Sequence, residues 1–290
     1  MNGIIVVDKP KGKTSHDIVY IVRRLTGIRR VGHTGTLDPN ATGVLPICIG
    51  NATKAAEYIT DGNKVYRAQM ILGSSTTTQD SSGEVIESRS VDVRESQIVN
   101  AINSFVGTIE QIPPMYSAIK INGKKLYELA RAGQEIERKS RKIDIIGIDI
   151  LSIDIDKGIV VMDVACSKGT YIRTLCNDIG EKLGCFAHMG DLQRRKSGRF
   201  DIEHSYTIEK LAELAQNGLL NDVLIKPDDV FAEYMRVDVS DEAEKKVKNG
   251  VALEHSGECG LYRVYGAGGE FLCISEAKDE ILKMIKSFWC

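Results

Sequence analysis

Apolar positions alternate with polar ones in some stretches of this chain and recur at helical spacing in others, and the two periods predict its elements. The run at 4–8 reads as a strand, broken by Lys9-Pro10. Ser15 then stands where a helix cap is wanted; Ile18, Val19, Val22 and Leu25 fall on one face, and Gly27 closes the helix. Residues 44–49 read as a short buried strand. Pro46 within it suits an edge or a bulge, because proline cannot donate to a ladder. A short helix is predicted at 52–59, then a strand at 65–72 in which Tyr66 and Arg67 point to opposite faces. Residues 73–84, GSSTTTQDSSGE, read as a polar loop. Ile98, Ala101, Ile102 and Phe105 mark an amphipathic helix. Strands follow at 143–153 and 159–165, with a turn at Ser167-Lys168-Gly169. The helical pattern from Thr170 through Leu183 stops at Gly184. A basic, strand-like stretch at 186–200 holds Leu192, and a helix covers 208–216. Lys226-Pro227-Asp228-Asp229 reads as a linker. Beyond it come short strands at 262–265 and 271–275, a glycine-rich turn at 266–269 and a closing helix, the size of a small accessory domain.

At 290 residues the chain can bury a sizeable core, most simply as two domains. With 42% hydrophobic and 27% charged residues it belongs with ordinary globular proteins. No apolar run reaches the roughly 18 residues of a membrane span, and MNGIIVVDKPKGK lacks the order of a signal peptide. A cytoplasmic protein is expected. The seven cysteines form no CxxC pair, which suggests buried thiols in a reducing compartment rather than disulfides or zinc. There is no GxxxxGK[ST] phosphate loop, GxGxxG fingerprint, HExxH or GxSxG elbow, and the histidines lack metal-ligand spacing.

A net charge of −2 does not by itself point to nucleic acid. The basic residues are nevertheless clustered. Arg23, Arg24, Arg29 and Arg30 form one group. Lys120, Lys124, Lys125 and Arg131 form a second, continued by Arg138, Lys139, Arg141 and Lys142. Arg194, Arg195, Lys196 and Arg199 form a third. One such group is usually a solvated face; three of them favour a polyanionic partner. Residues 113–142 mix Tyr116 and Tyr127 with lysine and arginine over little core pattern, which suits either contact with bases and phosphates or an ordinary surface excursion.

The densest chemistry lies at 32–50, GHTGTLDPNATGVLPICIG. Its glycines permit left-handed angles and close approach to a ligand, and its one acid, Asp38, is fixed before Pro39. A rigidly held carboxylate suits nucleophilic or acid/base work; the plainer alternative is an Asp-Pro turn in which Asp38 bonds its own backbone. The stretch offers no second acid. Arg173 falls in the first turn of a predicted helix, where a cation opposes the dipole, so it should have a task other than helix stability.

Five stretches together, VDKPKGKTSHD, GHTGTLDPNATGVLPICIGNATK, KVYR, IPPMYSAIKINGKKLYELAR and SKGTYIRTLCNDIGEKLG, resemble the bacterial tRNA pseudouridine-55 synthase (TruB) family, in the family's order, over residues 3 to about 200 and weakly beyond. The resemblance implies an α+β fold with a mixed, largely antiparallel sheet and flanking helices. It implies a catalytic domain at 1–232 with a thumb insertion at 114–142 that grips RNA, and a PUA-like domain at 233–290. The linker-like stretch at 226–229 and the compact tail predict that removing 233–290 leaves a folded catalytic domain with weaker tRNA binding. The implied reaction isomerises uridine 55 in the T loop of tRNA by base flipping, with no cofactor and no metal; the alternative is a non-catalytic tRNA-binding or folding chaperone. By position in the motifs, Asp38 is the catalytic carboxylate, with its pKa lowered by its partner Arg173. Tyr66 stacks on the target base, Tyr171 and Leu192 line the pocket, and His33 fills the space the flipped base leaves. Lys9, Lys120, Lys124 and Lys125 are expected on the substrate. A monomer is implied, with the T arm of tRNA as partner and no guide RNA.

Overall fold

The computed structural model of the chain describes residues 1–121 and 123–289; Asn122, inside the 114–142 stretch, and Cys290 lie outside them. The chain opens with β1 (Gly3–Lys9), α1 (Ser15–Thr26), β2 (Val31–His33) and β3 (Thr42–Ile49). A 3-10 turn (Gly50–Ala55) leads into α2 (Ala56–Thr60), β4 (Lys64–Leu72) and a hairpin of β5 (Ser74–Thr76) and β6 (Val85–Ser88). Next come α3 (Glu95–Asn103), β7 (Gly107–Gln111), the small hairpin β8 (Lys120–Ile121) and β9 (Lys124–Lys125), and α4 (Leu126–Arg131). They are followed by β10 (Arg141–Asp154), β11 (Ile159–Cys166), α5 (Ile172–Leu183), β12 (Ala187–Ser197), β13 (Phe200–Asp201) and α6 (Ile208–Gln216). The chain closes with β14 (Met235–Asp238), α7 (Asp241–Lys248), β15 (Leu253–Glu254), β16 (Gly260–Tyr265), β17 (Phe271–Lys278) and β18 (Ile281–Ser287).

Nine strands form one sheet, in the order β1-β3-β12-β4-β11-β10-β7 with β2 beside β3 and β13 beside β12. Every pairing in it is antiparallel except β12 with β3, so the sheet is mixed and largely antiparallel, as expected. Alternation in β1 explains why its apolar run is unbroken. Ile5 and Val7 face a core with Ile18 and Val22 of α1, Ile98 of α3, Leu175 of α5 and Leu211 of α6. Ile4 and Val6 face the opposite way, into a second cluster with Val44, Cys48 and Phe231.

Some sequence expectations are corrected. Thr14, not Ser15, caps α1: its side chain accepts from Asp17 N (3.1 Å) while Asp17 Oδ2 accepts from Thr14 N (2.7 Å). Pro46 is in an interior strand, facing β1 at Val6. It is tolerated because β3 changes its second neighbour there, from β12 at 42–43 to β2 at 47–49. The loop at 73–84 contains part of a hairpin. The predicted closing helix is strand β18. Its apolar residues fit a helix face as well as a strand, and pairing with β17 decides in favour of alternation, with Leu282 buried and Lys283 exposed. Strand β14 and helix α7 went unread. Among the described cysteines Cys48, Cys166, Cys176, Cys185 and Cys273 are buried and Cys259 is exposed, all as free thiols.

The stretch at 226–229 is not a loose linker. It runs into a 3-10 turn (Pro227–Phe231) that inserts Phe231 between the large sheet and a five-stranded sheet of order β14-β16-β17-β18-β15. The Phe231 ring meets Tyr58 edge-on at 5.0 Å and Phe288 at 5.6 Å, and shares its cluster with Ile274. Phe231→Ala should therefore cost about 3–5 kcal/mol of stability, the scale for deleting a buried aromatic ring. A urea midpoint unchanged by this substitution would contradict the packing described. Removing residues 233–290 would take Ile274 and Phe288 out of this cluster, so the shortened chain should be less stable than the full one.

Candidate active site

The loop carrying Asp38 is fixed by its neighbours. Thr34 N donates to Pro46 O and Ala41 N to Asp38 O, each at 3.1 Å. Ser15 Oγ accepts from Leu37 N (2.9 Å) and donates to Leu37 O (3.2 Å), so the residue read as a cap instead ties α1 to the Asp38 loop. The resemblance puts Lys9 on the substrate, and the structure corrects this. Lys9 is fully buried, and its Nζ donates to the carbonyls of Pro10 (3.0 Å), Lys13 (2.6 Å) and Pro39 (3.0 Å). Burial lowers its pKa to about 8. It braces the backbone beside Asp38 with donors already occupied.

Arg173 enters from the first turn of α5. The start of that helix is set by buried Gln111, whose Nε2 donates to Tyr171 O (3.0 Å) and whose Oε1 accepts from Tyr171 N (2.8 Å). The Arg173 Nε lies 3.1 Å from Asp38 Oδ2, its Nη2 donates to Tyr116 O (2.8 Å), its Nη1 donates to Thr78 O (3.4 Å), and Nη1 lies 3.7 Å from Asp80 Oδ2. One guanidinium thus joins the Asp38 loop, the 73–84 loop and the 113–142 stretch. The turn over 38–41 is present, closed by Ala41 N on Asp38 O, but the Asp38 carboxylate itself meets Arg173. Arg173 is only 6% exposed while Asp38 keeps 42%, so the pair is anchored on the protein side and open on the other.

The expected lowering of the Asp38 pKa by Arg173 is present but outweighed. Burial raises it most, Arg173 opposes, Asp80 raises it further and Lys9 opposes. If Asp38 reacts as the ionised carboxylate, kcat/KM should fall as pH drops through this pKa. The inflection should lie above the ordinary Asp value of about 3.9. Asp80→Asn removes a like charge and leaves Arg173 more fully to Asp38; both effects favour the ionised form, so the acid limb should move to lower pH. An unmoved limb, or one moved upward, would show that Asp38 does not govern it.

Tyr66 on β4 has Arg194 of β12 as its cross-strand partner. Arg194 is 1% exposed; its Nε donates to Val44 O (2.7 Å) and its Nη2 to Gly35 O (3.1 Å). It is therefore not part of a basic surface patch but a tie between β3, the Asp38 loop and the strand of Tyr66. On its other side it pairs with Gly43 (φ +99°), where a Cβ would run into the Arg194 backbone, so only glycine lets the two strands close. Burial raises the Tyr66 phenol pKa and Arg194 opposes it, so the hydroxyl keeps its proton at neutral pH.

The other predicted residues divide. His33 ends β2 with Nδ1 accepting from Gly35 N (3.4 Å), and burial lowers its pKa, leaving a neutral ring beside the loop. Leu192 is buried in the cluster against which Tyr66 packs, and half-buried Tyr171 directly precedes α5. Lys120, Lys124 and Lys125 stand on the β8–β9 hairpin, and no hydrogen bond or ion pair joins them to Asp38 or Arg173 among the described residues. Lys125 and Arg131 instead bracket the Tyr127 ring, at 5.3 and 5.5 Å. Asp80 and Gln111 are not singled out by the sequence, while Ser15 reads there as a helix cap and Arg194 as part of a basic group. Asp80 shares its serine and threonine tract with a second acid, Glu84, and nothing in the local sequence separates the two. Strand alternation puts Arg194 on the face of Leu192.

The model of the TruB family pseudouridylate synthase N-terminal domain matches residues 23–172, and that of the tRNA pseudouridylate synthase B C-terminal domain matches residues 173–230. A protein of Clostridium kluyveri named tRNA pseudouridine synthase B is 47% identical over 99% of this chain and 100% of its own length. One of the same name from Alkaliphilus oremlandii is 50% identical over 86% of this chain and 82% of its own. The crystal structure of a Cbf5–Nop10–Gar1 complex superposes with a TM-score of 0.73 at 26% identity, covering 99% of this chain and 85% of that one. With an ion-paired aspartate in the family's glycine-rich motif and relatives alike along the whole chain, the protein belongs to the TruB family of pseudouridylate synthases.

Proposed function

We propose that this chain converts uridine 55, in the T loop of tRNA, to pseudouridine. The observation that carries the reading is the Asp38–Arg173 pair, anchored on one side and open on the other, in a chain whose relatives are named tRNA pseudouridine synthase B. The net reaction breaks the N1–C1′ bond, turns the base and joins C5 to C1′; N1 gains a proton and C5 loses one. Asp38 either bonds to the nucleotide or takes a ribose proton, and both routes need its ionised oxygen. Arg173 keeps that oxygen aimed. Tyr66 stacks on the uracil ring, and its hydroxyl is available to relay a proton. Leu192 and Tyr171 line the pocket.

The target must leave the T loop before it can react, at a cost of a few kcal/mol, and His33 occupies the space left behind. Residues 114–142 serve as a thumb on the T arm, with Lys120, Lys124 and Lys125 toward phosphates. Because Arg173 holds the Tyr116 carbonyl, engaging the thumb reports directly to the catalytic pair. Residues 1–232 form the catalytic unit, and 233–290 a PUA-like unit that adds RNA affinity. The chain acts as a monomer in the cytoplasm without a guide RNA; no helix among the described residues is long and apolar enough to cross a membrane. A T-arm stem-loop carrying tritium at C5 of its uridines tests the reading. The wild-type protein should release label to water from the target position, and a protein that binds this RNA without releasing label would be a binding module instead.

A further inference from the structure

Helix α1 carries an exposed face that the reaction does not use. His16, Tyr20 and Arg24 stand four residues apart on it, so they line up along the helix over about 12 Å. Tyr20 is 57% exposed, an unusual position for a large aromatic ring. The ring is held rather than loose: His16 meets it edge-on at 4.9 Å and the Arg23 guanidinium lies 5.6 Å from its centroid. Arg23 is fixed in turn by donating from Nη2 to Val31 O (3.1 Å). Arg24 and Arg29 are exposed and make no ion pair among the described residues. The acid on this helix, Asp17, is committed to the cap of Thr14.

The place of this face gives it meaning. The first turn of α1 is bonded to the catalytic loop through Ser15 and Leu37, one residue before Asp38. His16, the residue after Ser15, lies near enough to His33 beside that loop to act on its charge, and the row runs from there along α1. A preset aromatic ring followed by unpaired arginines suits a nucleic acid strand, since a ring stacks on any base and guanidinium groups meet phosphates.

We propose that the His16–Tyr20–Arg24 face of α1 is a track for the RNA strand flanking the flipped nucleotide, with Tyr20 stacking on an unpaired base and Arg24 and Arg29 on phosphates. This rests on the reading that the substrate is an RNA loop, and it adds a second contact surface opposite in kind to the lysine-rich hairpin at 120–125. The test measures the Kd of a T-arm stem-loop over a range of salt, together with turnover at saturating RNA. Tyr20→Ala should weaken binding about 5- to 100-fold, and Tyr20→Phe should bind as the wild type does. Arg24→Gln should reduce the slope of log K against log salt by about 0.7. Turnover at saturation should stay at the wild-type level in all three, because none touches Asp38, Arg173 or Tyr66. Wild-type Kd and salt slope in both Tyr20→Ala and Arg24→Gln would overturn the proposal while leaving the catalytic reading intact. Failure of the wild-type protein itself to bind and convert the stem-loop would overturn both, and is recognised without any variant.

Discussion

Asp38→Asn should abolish pseudouridine formation, by at least about 10⁴-fold, while leaving RNA binding near the wild-type level. An amide neither forms the required bond nor accepts a proton well, and asparagine keeps nearly the volume of the aspartate. The loop should hold, because its backbone is tied by Ser15 Oγ, by Lys9 Nζ and by Thr34 N donating to Pro46 O, none of which involves the carboxylate. Arg173 is not orphaned either: Asp80 and the carbonyls of Thr78 and Tyr116 remain its partners. Lost stability should therefore be near 1 kcal/mol, small for a domain of this size. Tritium release by this variant near the wild-type rate would end the catalytic assignment of Asp38.

Arg173→Met should have the next largest effect, lowering kcat about 10²- to 10³-fold, the scale for removing one preorganised charged group from a reacting centre. Two carboxylates, Asp38 and Asp80, would be left facing each other without their shared cation, which favours protonation of one and removes the species the reaction needs. The Thr78 and Tyr116 carbonyls lose their donor as well, so the 73–84 loop and the thumb become uncoupled from Asp38. Stability should fall by less than the roughly 3–5 kcal/mol of a fully buried pair, because solvent reaches Asp38. Arg173→Lys keeps the charge but not the reach, and should recover only part of the rate. In Arg173→Met the acid limb of kcat/KM should move to higher pH, which separates an electrostatic role from simple loss of fold. A variant with wild-type kcat and pH profile would contradict the geometry described.

The sheet was largely legible in the sequence because its strands alternate and glycines stop its helices. β4, β10, β11 and β12 were placed within a few residues, and Gly27 and Gly184 do end α1 and α5 in left-handed conformations. Legibility failed where a short apolar pattern fits two periods. ILKMIK in β18 is the clear case, decided only by its pairing with β17. It failed again where a polar residue works through the fold. Lys9 and Arg194 look like any basic residues, and only the folded chain shows them buried against backbone carbonyls around the catalytic loop. Asp38 and Arg173 lie 135 positions apart. Their pairing came from family motifs, and no local spacing could have supplied it. Asp80 came from a tract read as polar loop, since nothing local distinguishes a solvated carboxylate from one aimed at Arg173.

The central claim is that this carboxylate isomerises one uridine of tRNA, and mapping pseudouridine in an unmodified tRNA transcript incubated with the wild-type protein tests it most directly. The account predicts pseudouridine at position 55 alone, and none in a transcript carrying cytidine there. Pseudouridine elsewhere, or none at position 55 under conditions where the transcript is bound, would contradict it.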